Sequence, residues 1–390
     1  VTAADVVNLS ANIDIPSQAI DSTSPYSVTA TYTDAAGNSA TTAAANFTLD
    51  STQATVAPTI TVPDASSPTP DGLINLAEKT GGVPVTVTLP TGVAVGDIVT
   101  LTLLDPNGVA ITLAPQTITT LDGGTISVTI PEGNLALNGN YALTAVIADA
   151  AGNTTPVSNQ ALFTVDTGAP GLPVLTIAEV SDSLVNDAEN ADGVEASVNL
   201  TGTGVNAGDT VRLTIVGPSS TETVDYVVTA DDVQFAGVIV NVVIPALSAQ
   251  GGYSVTANII DVAGNAGGAS NVVPFTLDTV QASSAPTISI ADANSPTPDG
   301  RINDAEKTDG VPVVVSLPTG AAVGDTVALT LARPDGSTTQ VSQVVAGPLG
   351  STISIDVASV LNTDGAYSVT ARITDPAGNS SPISSVSNFS

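Results

Sequence analysis

Asp34-Ala-Ala-Gly-Asn38, followed about ten residues later by Phe47-Thr-Leu-Asp50, decides how this chain is read. The pair returns as Asp149–Asn153 with Phe163-Thr-Val-Asp166, and as Asp261–Asn265 with Phe275-Thr-Leu-Asp278. A fourth turn, Asp375–Asn379, leads to Phe389. Successive turns lie 115, 112 and 114 residues apart. A fixed period of this kind marks an array of one folding unit, so function is to be sought in what the array does.

Between the markers the chain alternates apolar and polar residues in short runs bounded by turn residues. In the second copy the runs are Pro58–Val62, Pro84–Leu89, Ile98–Leu104, Val109–Thr119, Thr125–Ile130, Asn140–Ala148 and Pro156–Val165. Asp105-Pro-Asn-Gly108 and Leu121-Asp-Gly-Gly124 supply turn chemistry between them. Seven short strands at this spacing predict an all-β fold, a tandem array of seven-stranded immunoglobulin-like β-sandwiches. The expected units are 51–168, 169–279 and 280–390, with 1–50 the closing strands of a preceding unit. Joints of only a few residues predict that neighbouring sandwiches touch end to end. Tyr26, Tyr141, Tyr253 and Tyr367 head one strand in each copy. A ring buried there can return its hydroxyl to nearby backbone, a structural rather than ligand-stacking role.

Composition narrows the chemistry. The net charge is −31, with only six Lys and Arg, which leaves no basic surface for nucleic acid or anionic membrane. No apolar run is long enough to span a bilayer, so no membrane insertion is expected in this segment. Cys and His are both absent, removing disulfides, thiolate zinc sites and the commonest general base. Without Met and opening midway through a unit, the sequence reads as a segment of a longer polypeptide.

On a seven-strand frame the first-to-second-strand loop and the end of the last strand share the bottom of each sandwich. The Asp-x-Ala-Gly-Asn turn lies at the top. The bottom of the second unit then carries Asp64, Asp71, Asn75, Glu78 and Asp166, and that of the third Glu179, Asp182, Asn186, Glu189 and Asp278. The fourth carries Asp292, Asp299, Asn303 and Glu306, and the first keeps only Asp50. Facing them across each joint are Asp149, Asp261 and Asp375, with Asp97, Asp209 and Asp325 nearby. Mixed carboxylate and amide oxygens without His or Cys suit Ca²⁺, which takes six to eight oxygens, better than Mg²⁺. Ca²⁺ bridging facing loops would turn a flexible string into a semi-rigid rod. The same Asp residues also suit hairpin turns, since Asp forms Asx-turns and Gly supplies positive φ. Both roles stand for Asp34, Asp149, Asp261 and Asp375. Asp71, Asp182 and Asp299 could equally be solvated turn residues.

On the Asp-x-Ala-Gly-Asn turn, the Phe-Thr-Leu-Asp terminus and the Asn-x-Ala-Glu loop, the whole chain resembles the bacterial immunoglobulin-like repeats of giant surface adhesins, of the biofilm-associated and type I-secreted kinds. The resemblance implies an extracellular, cell-surface location and Ca²⁺ between domains. It also implies a stalk role in cell adhesion or biofilm formation, holding a distal module away from the cell. The partners are then the neighbouring repeats, with any host or matrix ligand bound outside this segment. Three other readings compete. A glycan- or protein-binding module would use Asp225-Tyr226 and Phe235 of the third unit. An extracellular filament would use the same rigid sandwiches. An isopeptide-stapled pilus needs Lys, and only Lys79 and Lys307 are present. An enzyme is not expected, because carboxylates repeated in every unit mark architecture rather than a single active site.

Overall fold

The computed structural model describes residues 1, 2, 5, 10–17, 20, 25–52, 54–63, 72–234, 237–290, 300–347 and 351–390. In the second repeat the alternating runs become strands whose inward residues are buried. Val83, Val85 and Val87 face Val99, Leu101, Leu103, Leu143, Ala145 and Ile147 across the sandwich. One sheet joins Thr59–Thr61, Val83–Thr88 and Thr125–Ile130. The other is built on Ile98–Leu104, Gly139–Ala148 and Ala161–Val165, all antiparallel. Register puts Leu101 opposite Ala145 and Val85 opposite Val128, so each inward row meets another inward row. A slip of one residue would turn the whole apolar row to solvent.

Two features differ from the sequence expectation. The run Val109–Thr119 splits into Ala110–Thr112 and Gln116–Thr117, and both pieces pair with Ile98–Leu104. The polar loop before Gly82 contributes structure of its own. Leu73–Ile74 adds a short strand parallel to Ala161–Val165, and Leu76–Gly81 forms a one-turn helix, α1. Ile74 drives this, because its buried side chain plugs the end of the core. The third repeat repeats the device with Leu184–Val185 and helix α2, Asp187–Asn190. Its sheets have three and five strands, while those of the fourth have three and four. Seven strands therefore describes the fourth repeat among the described residues. There helix α3 spans Asp304–Asp309, and the backbone bonds Ser390 to Gly300 and Ile302 to Ser390 stand in for the short parallel strand.

By internal packing the chain forms two compact units, residues 1–168 with 263–265, and residues 169–262 with 266–390. The second, third and fourth repeats each have a separate apolar core. In residues 25–48 two antiparallel pairs are present, Pro25–Val28 with Ala45–Thr48 and Thr31–Thr33 with Ser39–Thr41. Among the described residues no helix is long and apolar enough to cross a membrane.

Each repeated Tyr stacks on the Phe of the closing strand, with ring centroids 5.3–5.5 Å apart. Tyr141 donates its hydroxyl to the Leu137 carbonyl, Tyr253 to Ala249 and Tyr367 to Thr363. These are structural tyrosines, as the spacing implied. Removing the hydroxyl in Tyr253→Phe leaves the buried end of this link unpaired. It should cost about 1–2 kcal/mol in urea-denaturation free energy of the third repeat while leaving the sheets intact by circular dichroism.

Candidate functional site

The Asp-x-Ala-Gly-Asn turn holds itself together. Asp149 Oδ1 accepts from the Ala151 and Asn153 amides, and its Oδ2 accepts from Asn153 Nδ2 at 2.8 Å. Asp34 makes the same three bonds. In the fourth repeat Asp375 accepts from Asn379 N and Nδ2, both at 2.9 Å. The Asn side-chain bond, more than any other cause, holds the Asp34 and Asp149 carboxyls below the usual carboxylate range. Asp261 heads the third turn.

At the opposite end of each sandwich the Asn-x-Ala-Glu loop is a capping box. Asn186 caps α2 by accepting from the Ala188 and Glu189 amides, and Glu189 reaches back to the Asn186 amide at 2.9 Å. Asn75 with Glu78 and Asn303 with Glu306 repeat the arrangement. Sequence reading took these glutamates for loop acids suited to a cation. The overlooked signal was the Asn-x-x-Glu spacing itself. Nearby, Glu179 accepts from the Glu195 amide and Asp182 from Leu184. Asp64, Asp71, Asp292 and Asp299 lie outside the described residues.

The closing Asp residues shape the joints. Asp50, Asp166 and Asp278 each turn Oδ1 back onto the amide two residues on, in an Asx-turn that directs the chain out of the sandwich. Asn138 binds Thr167, and Gln250 binds Thr279 through both its amide atoms, so the first joint residue is tied down.

Within the second unit the end of the third repeat meets the turn of the fourth. Asn379 Nδ2 donates to the Asp278 carbonyl at 2.7 Å, and its Oδ1 accepts from the Asp187 amide at 2.7 Å. Asn186 Nδ2 donates to the Ala377 carbonyl at 3.1 Å. Asp325, only 4 % exposed, sits beside this contact with Oδ2 on the Ala322 amide. Burial, reinforced by the Asp375 and Asp278 carboxylates, raises its pKa. The Asp325 carboxyl therefore lies in the field of one acid from each side of the joint. Among the described residues no group of three or more carboxylates is gathered closely enough to hold a metal ion. The side-chain oxygens near the joint are nevertheless of the hard kind that suits a divalent cation. In the first unit a cavity of about 20 Å³ is lined by Thr52, Asp97, Asp149 and Asn153, room for a single small species.

Asp225, a candidate for ligand contact, is instead bidentate to Arg212 at 2.7 Å. Tyr226 donates its hydroxyl to Asp232. Phe235 lies outside the described residues.

This architecture defines a class, tandem Ig-like sandwiches joined through short hydrogen-bonded ends. A family model described as a bacterial Ig-like domain matches residues 99–166. No curated protein matches the chain. Among solved structures it is similar to a Ca²⁺-stabilised adhesin described as helping an Antarctic bacterium reach out and bind ice. Identity is 29 % over 94 % of this chain and 81 % of that one, with a TM-score of 0.33. It is similar to a tetra-tandem repeat in the extending region of a large adhesion protein, at 23 % identity over 93 % and 80 %, with a TM-score of 0.29. It is also similar to a bacterial immunoglobulin-like domain of the M. primoryensis ice-binding adhesin, at 32 % identity over 28 % of this chain and 98 % of that one, with a TM-score of 0.19. The residues matched by the family model contain one turn and one Phe-Thr-Val-Asp terminus, and the other repeats carry the same motifs. The family match is therefore to one stretch of the second repeat, whose motifs recur along the rest of the chain.

Because the Asp149 carboxyl titrates below its ordinary value of 3.8, its turn contributes full stability above that pH and loses it as pH falls further. Asp149→Asn should therefore lower the thermal midpoint of the first unit at pH 7, and the difference from wild type should shrink as pH falls below about 3.8.

Proposed function

We propose that this chain is an extender segment of a large bacterial surface adhesin, a row of sandwiches stiffened by Ca²⁺ at its joints. The observation that carries the reading is the hydrogen-bonded end-to-end contact within the second unit, beside which buried Asp325 lies in the field of the Asp375 and Asp278 carboxylates. In this reading the units are 51–168, 169–279 and 280–390. Asp278, Asp325 and Asp375 would draw an ion to the joint between the last two, and Asp97 and Asp149 line the corresponding place in the first unit. Bound Ca²⁺ would supply the charge neutralisation that the joint lacks. The capping-box pairs Asn75–Glu78 and Asn186–Glu189 shape the surface beneath the ion. The segment works outside the cell, in adhesion or biofilm formation, and carries no catalysis. Adhesion to a host or matrix ligand belongs to another part of the parent protein.

Two support lines are independent of the acids. A bacterial Ig-like domain model matches residues 99–166, and the cores of the repeats are separate while their joints are short. A series of self-sufficient blocks is a way to gain length at constant width.

Calorimetric titration and small-angle scattering of the 390-residue chain test the reading. Ca²⁺ should raise the thermal midpoint and lengthen the particle. Asp325→Asn should weaken binding at its joint at least about tenfold, yet raise the midpoint of the metal-free chain by relieving repulsion. Glu189→Ala should lower the midpoint to the same extent with and without Ca²⁺, because it removes a helix cap worth about 1 kcal/mol. A chain whose midpoint and dimensions ignore both Ca²⁺ and chelator would refute the proposal.

A further inference from the structure

We infer that Asn186 and Asn379 form a metal-independent latch, through which the end of one repeat recognises an Asp-x-Ala-Gly-Asn turn in the next. The argument starts from the choice of capping residue. Ser, Thr and Asp cap a helix about as well as Asn does. Asp has no donor, and Ser and Thr carry theirs on the same oxygen that accepts the helix amides, whereas Asn holds two N–H donors on a separate atom that can reach away from the cap. Asn186 commits Oδ1 to Ala188 and Glu189 and sends Nδ2 to the Ala377 carbonyl. The turn answers in kind. Asn379 uses both donors, one on Asp278 O and one on Asp375 Oδ2, and its acceptor takes the Asp187 amide. One amide side chain thus closes its own turn and grips the neighbouring repeat at two points.

Steric fit completes the recognition. Ala377 and Asn379 are 5 % and 6 % exposed, whereas Ala36 and Asn38 of the first turn are exposed. Gly378 has φ +99°, which favours glycine, and a Cβ there would lie 3.2 Å from Asn186 Nδ2, a tight contact that would press on the amide. The same three bonds recur inside the first unit. Asn75 Nδ2 meets Ala263 O at 3.0 Å, the Leu76 amide meets Asn265 Oδ1 at 2.9 Å, and Asn265 Nδ2 meets Asp166 O at 2.9 Å. Gly264 stands in the corresponding place, with a Cβ position 3.3 Å from Asn75 Nδ2.

Each of these bonds joins a side-chain amide to backbone, so none of them needs an ion to form. The partner that fits is a repeat presenting Ala, Gly and Asn in sequence after the turn Asp. A carboxylate at the last position would lack the donor. The inference rests on the extender reading for its biological use, but not on Ca²⁺ for its chemistry. The latch fixes which surfaces meet, and the ion alters how often they part.

The Asp187 amide reports on the latch alone. It is the first residue of α2, whose own helix offers it no acceptor, so its protection comes from Asn379 across the joint. Amide exchange at Asp187, followed by NMR on the deuterated full chain in excess chelator, is the test. The wild-type amide should remain protected, and Asn186→Ser, which keeps a cap but loses the amide donor, should speed its exchange at least about tenfold. The control is Asn303→Ser, which alters the same cap where, among the described residues, no turn packs against it. It should leave Asp187 unchanged. If the wild-type amide in chelator exchanges as fast as in Asn186→Ser, the latch is refuted. Equal protection with Ca²⁺ and with chelator would support the latch and count against Ca²⁺ stiffening, so the two readings fail separately.

Discussion

Like-charge repulsion is the constraint on which the joints of this chain depend. With 37 acidic and six basic residues, surfaces can meet only where acids are held apart, buried against backbone donors or offset by a cation. The chain uses backbone amides widely. Asp34, Asp149, Asp182 and the closing Asp of each joint all accept main-chain N–H groups. The glutamates of the capping boxes do likewise. At Asp325 burial and the neighbouring Asp375 and Asp278 carboxylates still raise the pKa. That local field, more than the overall acidity, gives the joint a reason to bind a divalent ion.

A neutral contact beside a charged one divides the work of holding repeats together. Amide-to-backbone bonds are directional and saturable, so they define register. Carboxylates around an ion are stronger and less particular about angle, because Ca²⁺ accepts variable coordination. An array with both can keep its assembly geometry while its stiffness follows the ionic conditions outside the cell.

The sandwich was legible because alternation and turn chemistry are local. Ile98–Leu104 and Thr125–Ile130 appear in the structure at the bounds the sequence implied. The partner of a short edge segment is not local, so Ala110–Thr112 could be placed in chain order but not in its sheet. The short parallel strand Leu73–Ile74 escaped notice because two residues carry no period. At the joints, the acids drew attention by charge, yet their bonds are decided by spacing. Glu78, Glu189 and Glu306 stand three residues after an Asn, and that offset makes them cap partners. Asp325 was visible only as a nearby acid, because its burial is a product of tertiary packing that no local pattern reports. The roles of the asparagines were hidden for a similar reason, since their second hydrogen bonds cross to residues roughly a hundred or more positions away.

The parallel pairing near the two ends of each repeat has a mechanical meaning. Thr164 and Asp166 bond to Gly72 and Ile74, Thr276 and Asp278 to Ser183 and Val185, and Ser390 exchanges bonds with Gly300 and Ile302. In each case the closing strand runs alongside a segment near the start of its own repeat. Tension drawn through such a repeat pulls those two segments in opposite directions along their length. The bonds between them are then loaded together in shear and must break as a group, where a hairpin pulled from its open end would lose them one at a time. Each sandwich therefore carries its load-bearing clasp where the chain enters and leaves, and traction on a row of them falls first on backbone hydrogen bonds that shield the cores behind them.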